Sequence, residues 1–456
     1  MFYTMKRKII IPLVIIVVLV IIGVSQYPKL YIATGYGARS MATAVFVAER
    51  DPLMVKLTDL NYSIVKYTQS VVDYENKSVT TSFWGMAKQT AVYRKGFGCC
   101  LIGNRSADSL RMSSFTPPIN KIPGSWRTAW PNGDIKKDTV FPEIDSLKLK
   151  SAIDAAFDIS SEGKKRTAAV VVIYKGELVA EKYDTEMGIT PDTRIWGWSM
   201  TKSIMNAIAG VLTKHGKLNV NAVAPIPQWQ KDRRRDITIN DLMHMSSGLK
   251  WNEDYGDVSS ATNMLYRSAD CYKVAIDVPY QEKPGTEWKY SSGTANILSG
   301  IFRILIGNDK SYYEFPYRDI FNKIGVTSMI LETDAAGNFV GSSYSYATAH
   351  DWARFGLLYY NNGIWKGDTI LPPGWVAYTR TPAAASKGEY GAQFWLNRSR
   401  KLPDAPEDLF SCNGHRGQRI FIIPSRNLVV VRLGFSEEGF NHNEFLKGIL
   451  AAIKKD

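Results

Sequence analysis

The sequence predicts an α+β fold in which an antiparallel sheet is flanked by helices and a mostly helical second lobe lies beside it. Two β-rich blocks support this prediction: residues 168–174 with 177–183, and residues 418–423 with 427–433. Between them, from about residue 220 to 390, the apolar spacing is mostly helical. Sheet-forming segments that bracket a helical stretch can pair into one sheet, which leaves the helices as a neighbouring lobe.

The first 24 residues have the layout of a signal peptide or a signal anchor. A basic cluster at residues 6–8 precedes an apolar run over residues 9–24 that is interrupted by Pro12. The run is shorter than the ~20 residues that comfortably span a bilayer, and residues 23–25 offer only a weak cleavage site. Because basic flanks tend to remain in the cytoplasm, we expect an anchor, with the rest of the chain exported to the periplasmic or extracytoplasmic face of the membrane. Whether the segment is cleaved stays open.

Two further regions follow the N-terminal segment. Residues 25–140 are predicted to be an extension that packs on the catalytic domain and is largely irregular, with short strands near residues 42–47 and 91–93. The catalytic domain is predicted over residues 141–456 and begins with an amphipathic helix near residues 144–157.

The charge and composition exclude several classes of protein. Lys and Arg number 56 against 43 Asp and Glu, so the formal net charge is +13. Such a charge could suit nucleic acid, anionic lipid or a cell-wall polymer. The basic residues are scattered, however, and the densest run, residues 231–235, is short, so we expect no nucleic-acid partner. The five histidines lack metal-ligand spacing and no phosphate-binding glycine loop is present, so we expect no metal and no cofactor.

The four cysteines are too few for a disulfide scaffold in an exported protein of this length. A bridge between the adjacent Cys99 and Cys100 would be strained. The pairing of either one with Cys271 or Cys412 is left open by the sequence.

A serine three residues before a lysine places both side chains on one face of a helix, where a neutral amine can take the hydroxyl proton. Only Ser199, with Lys202, follows a predicted hairpin and opens a long amphipathic helix that ends at Gly216. A helix start also offers free N–H groups for developing negative charge. The alternative for Ser199 is an ordinary N-cap serine. The spacing occurs four times in the chain: Ser63/Lys66, Ser161/Lys164, Ser199/Lys202 and Ser247/Lys250.

Three ordered motifs resemble those of the serine β-lactamase and penicillin-binding superfamily: Ser199-Met-Thr-Lys202, Tyr290-Ser-Ser292 and His415-Arg-Gly417. The central tyrosine motif is similar to that of class C enzymes. His-Arg-Gly in place of Lys-Thr-Gly is typical of 6-aminohexanoate-dimer hydrolases and some esterases. The resemblance covers about residues 140–456 and implies a β-lactamase/transpeptidase-like fold.

The resemblance also implies a role for each catalytic residue. Ser199 would be the nucleophile that forms an acyl-enzyme, and Lys202 and Tyr290 would act as general base and acid. Lys202 can serve as a base only if its environment lowers its pKa from the usual value of about 10.4. Which of the two is the main base stays open. The backbone N–H groups of Ser199 and Gln418 would form the oxyanion hole.

The third motif and Ser292 are expected to line the substrate site. His415-Arg-Gly417 would form a strand edge along the cleft, with Gly417 allowing close approach of the substrate and Arg416 pointing away in a structural role. His415 is mostly neutral near pH 7 and is therefore a poorer anion anchor than lysine. Ser292 replaces an asparagine of the class C motif. Both departures favour a linear amide or ester over a penicillin.

The leading hypothesis is an exported serine hydrolase that cleaves a small-molecule amide or ester. The alternatives are a D,D-peptidase, penicillin-binding protein or β-lactamase, and a membrane-anchored binding protein that does no chemistry. The physiological substrate and the oligomeric state are not determined by the sequence, because the loops between the motifs shape the pocket.

Overall fold

The N-terminal part of the chain forms a long helix packed on a small antiparallel sheet. The computed structural model describes residues 2–119, 128–158, 164–437 and 439–454. The four N-terminal strands pair in sequence order, and the first helix packs across all four of them. The elements of this part are α1 (Phe2–Phe46), α2 (Pro52–Thr58), β1 (Gln69–Asp73), β2 (Ser78–Phe83), β3 (Met86–Arg94), β4 (Gly98–Leu101) and α3 (Ala107–Arg111).

This arrangement corrects the prediction of largely irregular structure for residues 25–140. Residues 42–46, expected to form a strand, belong to α1, whereas residues 91–93 lie within β3 as expected. Ala38 and Ala42 are completely buried in α1. Residues 42–46 are helical because they are buried against a distant part of the chain. Local propensity does not predict such burial.

Residues 9–24, the predicted membrane anchor, lie within α1. Within the described ranges, no helix is both long enough and apolar enough to cross a membrane. Export of the chain stays a prediction from the sequence.

The rest of the chain forms the main sheet, its covering helices and a helical lobe. The helices are α4 (Ser146–Asp154), α5 (Thr201–Lys214), α6 (Ile239–Met243), α7 (Ser260–Arg267), α8 (Cys271–Ile276), α9 (Ser292–Ile306), α10 (Asp309–Pro316), α11 (Ala349–Tyr360), α12 (Trp375–Thr379) and α13 (His442–Ala451). The strands are β5 (Thr167–Tyr174), β6 (Glu177–Tyr183), β7 (Ile195–Trp196), β8 (Ile330–Leu331), β9 (Ser345–Ala347), β10 (Ile364–Trp365), β11 (Asp368–Thr369), β12 (Trp395–Leu396), β13 (Phe410–Gly414), β14 (Gln418–Ile423) and β15 (Leu428–Gly434).

Both predicted β-rich blocks lie in one six-stranded antiparallel sheet with the order β12-β13-β14-β15-β5-β6. The blocks meet where β15 pairs with β5, and Val430 lies opposite Val172 there. β5 and β6 form the predicted hairpin, whose turn residues Lys175 and Gly176 both have positive φ as a tight two-residue turn requires. The predicted α+β fold is therefore confirmed.

Helices cover both faces of the main sheet. Leu149 of α4 and Leu446 of α13 belong to the apolar cluster on one face, together with Val172. On the other face, Gly356 of α11 lies so close to Ile420 and Val429 that a Cβ would meet them at 2.6 and 2.7 Å. α5, with residues 201–212 all buried, lies in the larger core that extends into the helical lobe.

A buried ion pair joins α1 to the helical lobe. Arg39 of α1 contacts a carboxylate oxygen of Glu332 and the carbonyl oxygen of Cys99. The other oxygen of Glu332 accepts hydrogen bonds from the Thr43 hydroxyl at 3.1 Å and from the Cys99 N–H at 2.6 Å. Burial raises the pKa of Glu332, and the Arg39 charge opposes that rise. The four cysteines are buried thiols that form no disulfide.

We expect Arg39→Met to lower the free energy of unfolding by about 3–5 kcal/mol, because it leaves the Glu332 carboxylate buried without its counter-ion. Denaturant unfolding followed by tryptophan fluorescence measures this loss. Lys150→Met, which removes an exposed ion pair with Asp154 on α4, is the control and should leave the midpoint unchanged. Equal midpoints for Arg39→Met and the wild type would contradict the prediction.

Candidate active site

Ser199 lies in a tight turn, Trp198–Met200, that leads directly into α5. Trp198 has a φ of +50°, a conformation that strains a bulky L-residue. Its ring stacks on Trp196 with the centroids 3.6 Å apart, and this packing holds the turn. The residues on either side of Ser199 are buried, whereas Ser199 itself is only half-buried. The Ser199 hydroxyl is therefore accessible, while the buried, stacked rings of Trp196 and Trp198 fix the turn that carries it.

Lys202 reaches Ser199 from the first turn of α5. Its Nζ lies 3.2 Å from the Ser199 Oγ, 3.1 Å from the Ser292 Oγ and 2.9 Å from the carbonyl oxygen of Ser342. All three partners are uncharged. The lysine is 1% exposed, so its ammonium form loses nearly all its hydration without gaining a carboxylate in hydrogen-bonding contact.

Burial lowers the pKa of Lys202 to about 8, against the opposing effect of the Glu253 charge. About a tenth of the lysine is then the free amine at pH 7, a far larger share than in an exposed lysine. The side chain nearest to the Ser199 hydroxyl is thus one that can accept its proton.

Tyr290 completes the group predicted from the sequence. Its ring lies 4.8 Å from the Lys202 Nζ and packs against Trp395. Burial raises the pKa of Tyr290, and the Glu253 charge adds to the rise, whereas a hydrogen bond with Ser199 and the Arg419 charge oppose it. Tyr290 therefore holds its proton at neutral pH and is a donor beside the serine.

Glu253 is a site residue that the sequence analysis missed. Its carboxylate accepts hydrogen bonds from the Ser292 N–H at 2.8 Å, the Ser292 hydroxyl at 2.5 Å and the Tyr255 hydroxyl at 2.7 Å, and it also contacts the Trp251 indole. The completely buried Ser292 hydroxyl donates a hydrogen bond to Glu253 and accepts one from Lys202, so it helps to fix the position of the Lys202 amine. No motif marks Glu253, because its position depends on how a loop folds over the start of α9.

The third motif differs from the expected strand edge. Residues His415–Gly417 form a tight turn between β13 and β14, with φ of +61° at Arg416 and +85° at Gly417. A Cβ at Gly417 would overlap the guanidinium of Arg432, so the glycine permits close packing inside the protein. Arg416 donates to the Asp59 and Thr58 carbonyls and has the structural role that was expected for it.

His415 and Gln418 lie on opposite sides of this turn. His415 keeps part of its surface exposed, while its ring packs edge-on against Trp198. The partial loss of hydration on packing, together with the Arg416 charge, lowers the pKa of the imidazole below its usual value. The imidazole is therefore neutral at pH 7. The Gln418 side chain is buried and bonded to Gly434, while its backbone lies opposite Gly414, which packs on the Gly197 carbonyl next to the Ser199 turn. Ser199 and Gln418 are thus on adjoining segments.

Two cavities meet at Ser199. The N-terminal cavity, about 310 Å³, lies between α1, residues 62–65 and the helical lobe. The sheet-edge cavity, about 390 Å³, runs from Tyr290 past β13 to Arg419. Ser199, Tyr255 and His415 line both of them.

Arg419 places a positive charge in the sheet-edge cavity. Its Nη1 donates to the carbonyl oxygens of Gly414 and Gln418 at 2.9 and 2.8 Å, so both partners are uncharged. Burial lowers the pKa of Arg419 to about 10, and the guanidinium stays charged at neutral pH. Within the described parts of the chain, no group of three or more His, Cys, Asp or Glu side chains is placed to hold a metal ion.

The fold is that of a known family. A model of the Beta-lactamase family matches residues 151–442. The 6-aminohexanoate-dimer hydrolase of Paenarthrobacter ureafaciens is 22% identical over 295 residues, which cover 59% of this chain and 72% of that protein. A penicillin-binding protein homologue from Caulobacter crescentus superposes with a TM-score of 0.54 at 14% identity, over 70% of this chain and 99% of its own. A family VIII carboxylesterase has a TM-score of 0.54 at 18% identity, over 69% and 98%.

The chain belongs to the β-lactamase family. Its sheet, covering helices and helical lobe form the fold that β-lactamases and penicillin-binding proteins share. The superfamily expected from the three motifs is thereby confirmed.

We expect the Lys202 ammonium to titrate near pH 8, and Glu253→Gln to lower that pKa, because the substitution removes the negative charge that stabilises the ammonium. NMR titration of protein labelled with ¹⁵Nζ-lysine measures both values, with Lys202→Met assigning the signal. Asp254→Asn, which neutralises the adjacent exposed carboxylate, is the matched control and should leave the titration unchanged. A Lys202 signal that titrates above pH 10 in the wild type would rule out this electrostatic picture.

Proposed function

We propose that the protein is a serine hydrolase that cleaves amide or ester bonds through an acyl-enzyme on Ser199. One observation carries the proposal: the buried Nζ of Lys202, with its lowered pKa, lies 3.2 Å from the Ser199 hydroxyl. A serine hydroxyl is a weak nucleophile until a neighbouring base takes its proton. The relatives include a protein named as a 6-aminohexanoate-dimer hydrolase and one described as a carboxylesterase, which agree with this chemistry.

In the acylation step, the free amine of Lys202 takes the proton of Ser199 while Oγ bonds to the carbonyl carbon. The resulting oxyanion would be stabilised by the backbone N–H groups of Ser199 and Gln418. Tyr290 then gives its proton to the leaving amine or alcohol as the bond to the carbonyl carbon breaks, and it regains a proton from the Lys202 ammonium. The opposite directions of the two pKa shifts favour Lys202 as the acceptor and Tyr290 as the donor.

Deacylation reverses these roles. A water molecule loses a proton to the Lys202–Tyr290 pair and attacks the acyl carbon, and the same pair returns a proton to the Ser199 oxygen as the acid product leaves. The Ser292–Glu253 contact supports Lys202 throughout the cycle, because it anchors the serine that contacts Nζ.

The substrate we favour is a linear amide or ester. Since His415 is neutral at pH 7, and Arg416 is turned towards the Asp59 and Thr58 carbonyls, the first position of the third motif lacks the positive charge that a lysine provides in β-lactam-hydrolysing relatives. The second candidate is a D,D-peptidase, favoured by the Arg419 guanidinium in the sheet-edge cavity, which could face a terminal carboxylate.

Ser199→Ala should abolish labelling by a fluorophosphonate and lower kcat at least ~1000-fold, because the substitution removes the hydroxyl that forms the acyl-enzyme in the proposed mechanism. Lys202→Met should lower the labelling rate at least ~100-fold while the fold is retained. The matched control is Ser247→Ala, since Ser247 has the same spacing to Lys250. Equal labelling of wild type and Ser199→Ala would refute the proposal.

The substrate class is tested by a turnover screen over p-nitrophenyl esters, short linear ω-amino-acid amides, D-Ala-D-Ala peptides and nitrocefin. We expect the wild type to hydrolyse the linear esters or amides faster than nitrocefin. Preferential turnover of D-Ala-D-Ala peptides that is lost in Arg419→Gln would favour the D,D-peptidase instead.

A further inference from the structure

The N-terminal cavity is a largely apolar chamber that opens beside the candidate nucleophile. Its walls include Ile32, Tyr36, Val65, Trp198, Leu265 and Tyr266. Tyr36, Leu265 and Tyr266 are each at most 4% exposed, so these side chains are firmly packed. Apolar walls with a few polar groups at one end are typical of a site for a small organic ligand.

One wall of this cavity is built by α1. Ile32, Ala33 and Tyr36 come from that helix, and the Tyr36 ring stacks on Trp198 with the centroids 5.7 Å apart. Trp198 directly precedes Ser199, so the wall contacts the support of the nucleophile. α1 precedes residues 151–442, the part of the chain that the family model matches, so this wall of the cavity comes from outside the matched region.

The charged groups of the cavity lie at its rim. Lys29 of α1 and Asp257 of the helical lobe pair at 3.2 Å, with exposed side-chain fractions of 36% and 52%. At the inner end, the Ser199, Tyr255 and His415 side chains connect it to the sheet-edge cavity. A ligand that enters from the rim can thus place a polar group at Ser199 while the remainder stays among the apolar walls.

The position of Tyr290 decides which half of a substrate this cavity receives. Tyr290 lines the sheet-edge cavity and is absent from the lining of the N-terminal cavity. Because Tyr290 protonates the leaving group in the proposed mechanism, the leaving group lies on its side. The acyl group then extends in the other direction.

We propose that the N-terminal cavity binds the acyl chain of the substrate and selects apolar acyl groups of medium length, an inference that rests on the proposed function. A volume of about 310 Å³ holds roughly ten groups of the size of a water molecule or a methylene. Each methylene that enters the cavity should raise kcat/KM about fourfold. The preferred substrates are therefore esters or amides of linear acids with up to about eight carbons, or of compact aryl acids.

The experiment compares hydrolysis of p-nitrophenyl acetate and p-nitrophenyl octanoate. In the wild type, kcat/KM for the octanoate should exceed that for the acetate at least ~30-fold, since several methylenes are buried. Ala33→Phe, which fills the cavity from α1, should lower the octanoate/acetate ratio at least ~30-fold. Ile64→Glu, which places a carboxylate at an exposed part of the lining, should lower the same ratio without disturbing the core.

Leu57→Glu is the matched control, because Leu57 is also an exposed apolar residue of the N-terminal part but does not line the cavity; it should keep the wild-type ratio. An unchanged ratio in both cavity variants, with Ser199 still labelled by a fluorophosphonate, would overturn the acyl-chain proposal alone. Absence of labelling and of turnover in the wild type would instead reject the proposed function, and the inference with it.

Discussion

The burial of one lysine ammonium among uncharged partners is the interaction on which the rest of the site depends. Lys202 is held by two serine hydroxyls and a carbonyl oxygen, and it has almost no exposed surface. An ammonium in such surroundings binds its proton less tightly, since the lost hydration is not replaced by a contacting carboxylate. The large core that encloses α5 therefore sets the protonation of the site as well as the stability of the fold.

The charge of Glu253 partly offsets the lowering of the Lys202 pKa. Its negative charge favours the protonated forms of both Lys202 and Tyr290, whereas its hydrogen bonds go to Trp251, Tyr255 and Ser292. A contacting carboxylate would hold the lysine proton firmly, whereas a carboxylate one side chain away can position the serine and leave the amine available. This separation reconciles a charged residue in the site with a lysine of lowered pKa.

The N-terminal part of the chain contributes to the site and not only to stability. Tyr36 stacks on the tryptophan that precedes Ser199, and the α1 wall closes a cavity beside the nucleophile. The buried contact between Arg39 and Glu332 holds α1 against the helical lobe. The same contact therefore stabilises both the core and the α1 wall of the cavity. The family model matches residues 151–442, which include most of the main sheet, and α1 lies before them.

From the sequence alone, short-range periodicity predicted the sheet-forming blocks and the α5 helix, because periodicity is a local property of the chain. The resemblance of three motifs to those of a known superfamily predicted Ser199, Lys202 and Tyr290 as site residues. Tertiary structure alone decided the helical state of residues 42–46, the tight turn at His415–Gly417 and the placement of Glu253. Each of these depends on contacts between segments far apart along the chain. Burial against such distant partners changes both backbone conformation and proton affinity, and neither effect can be read from neighbouring residues.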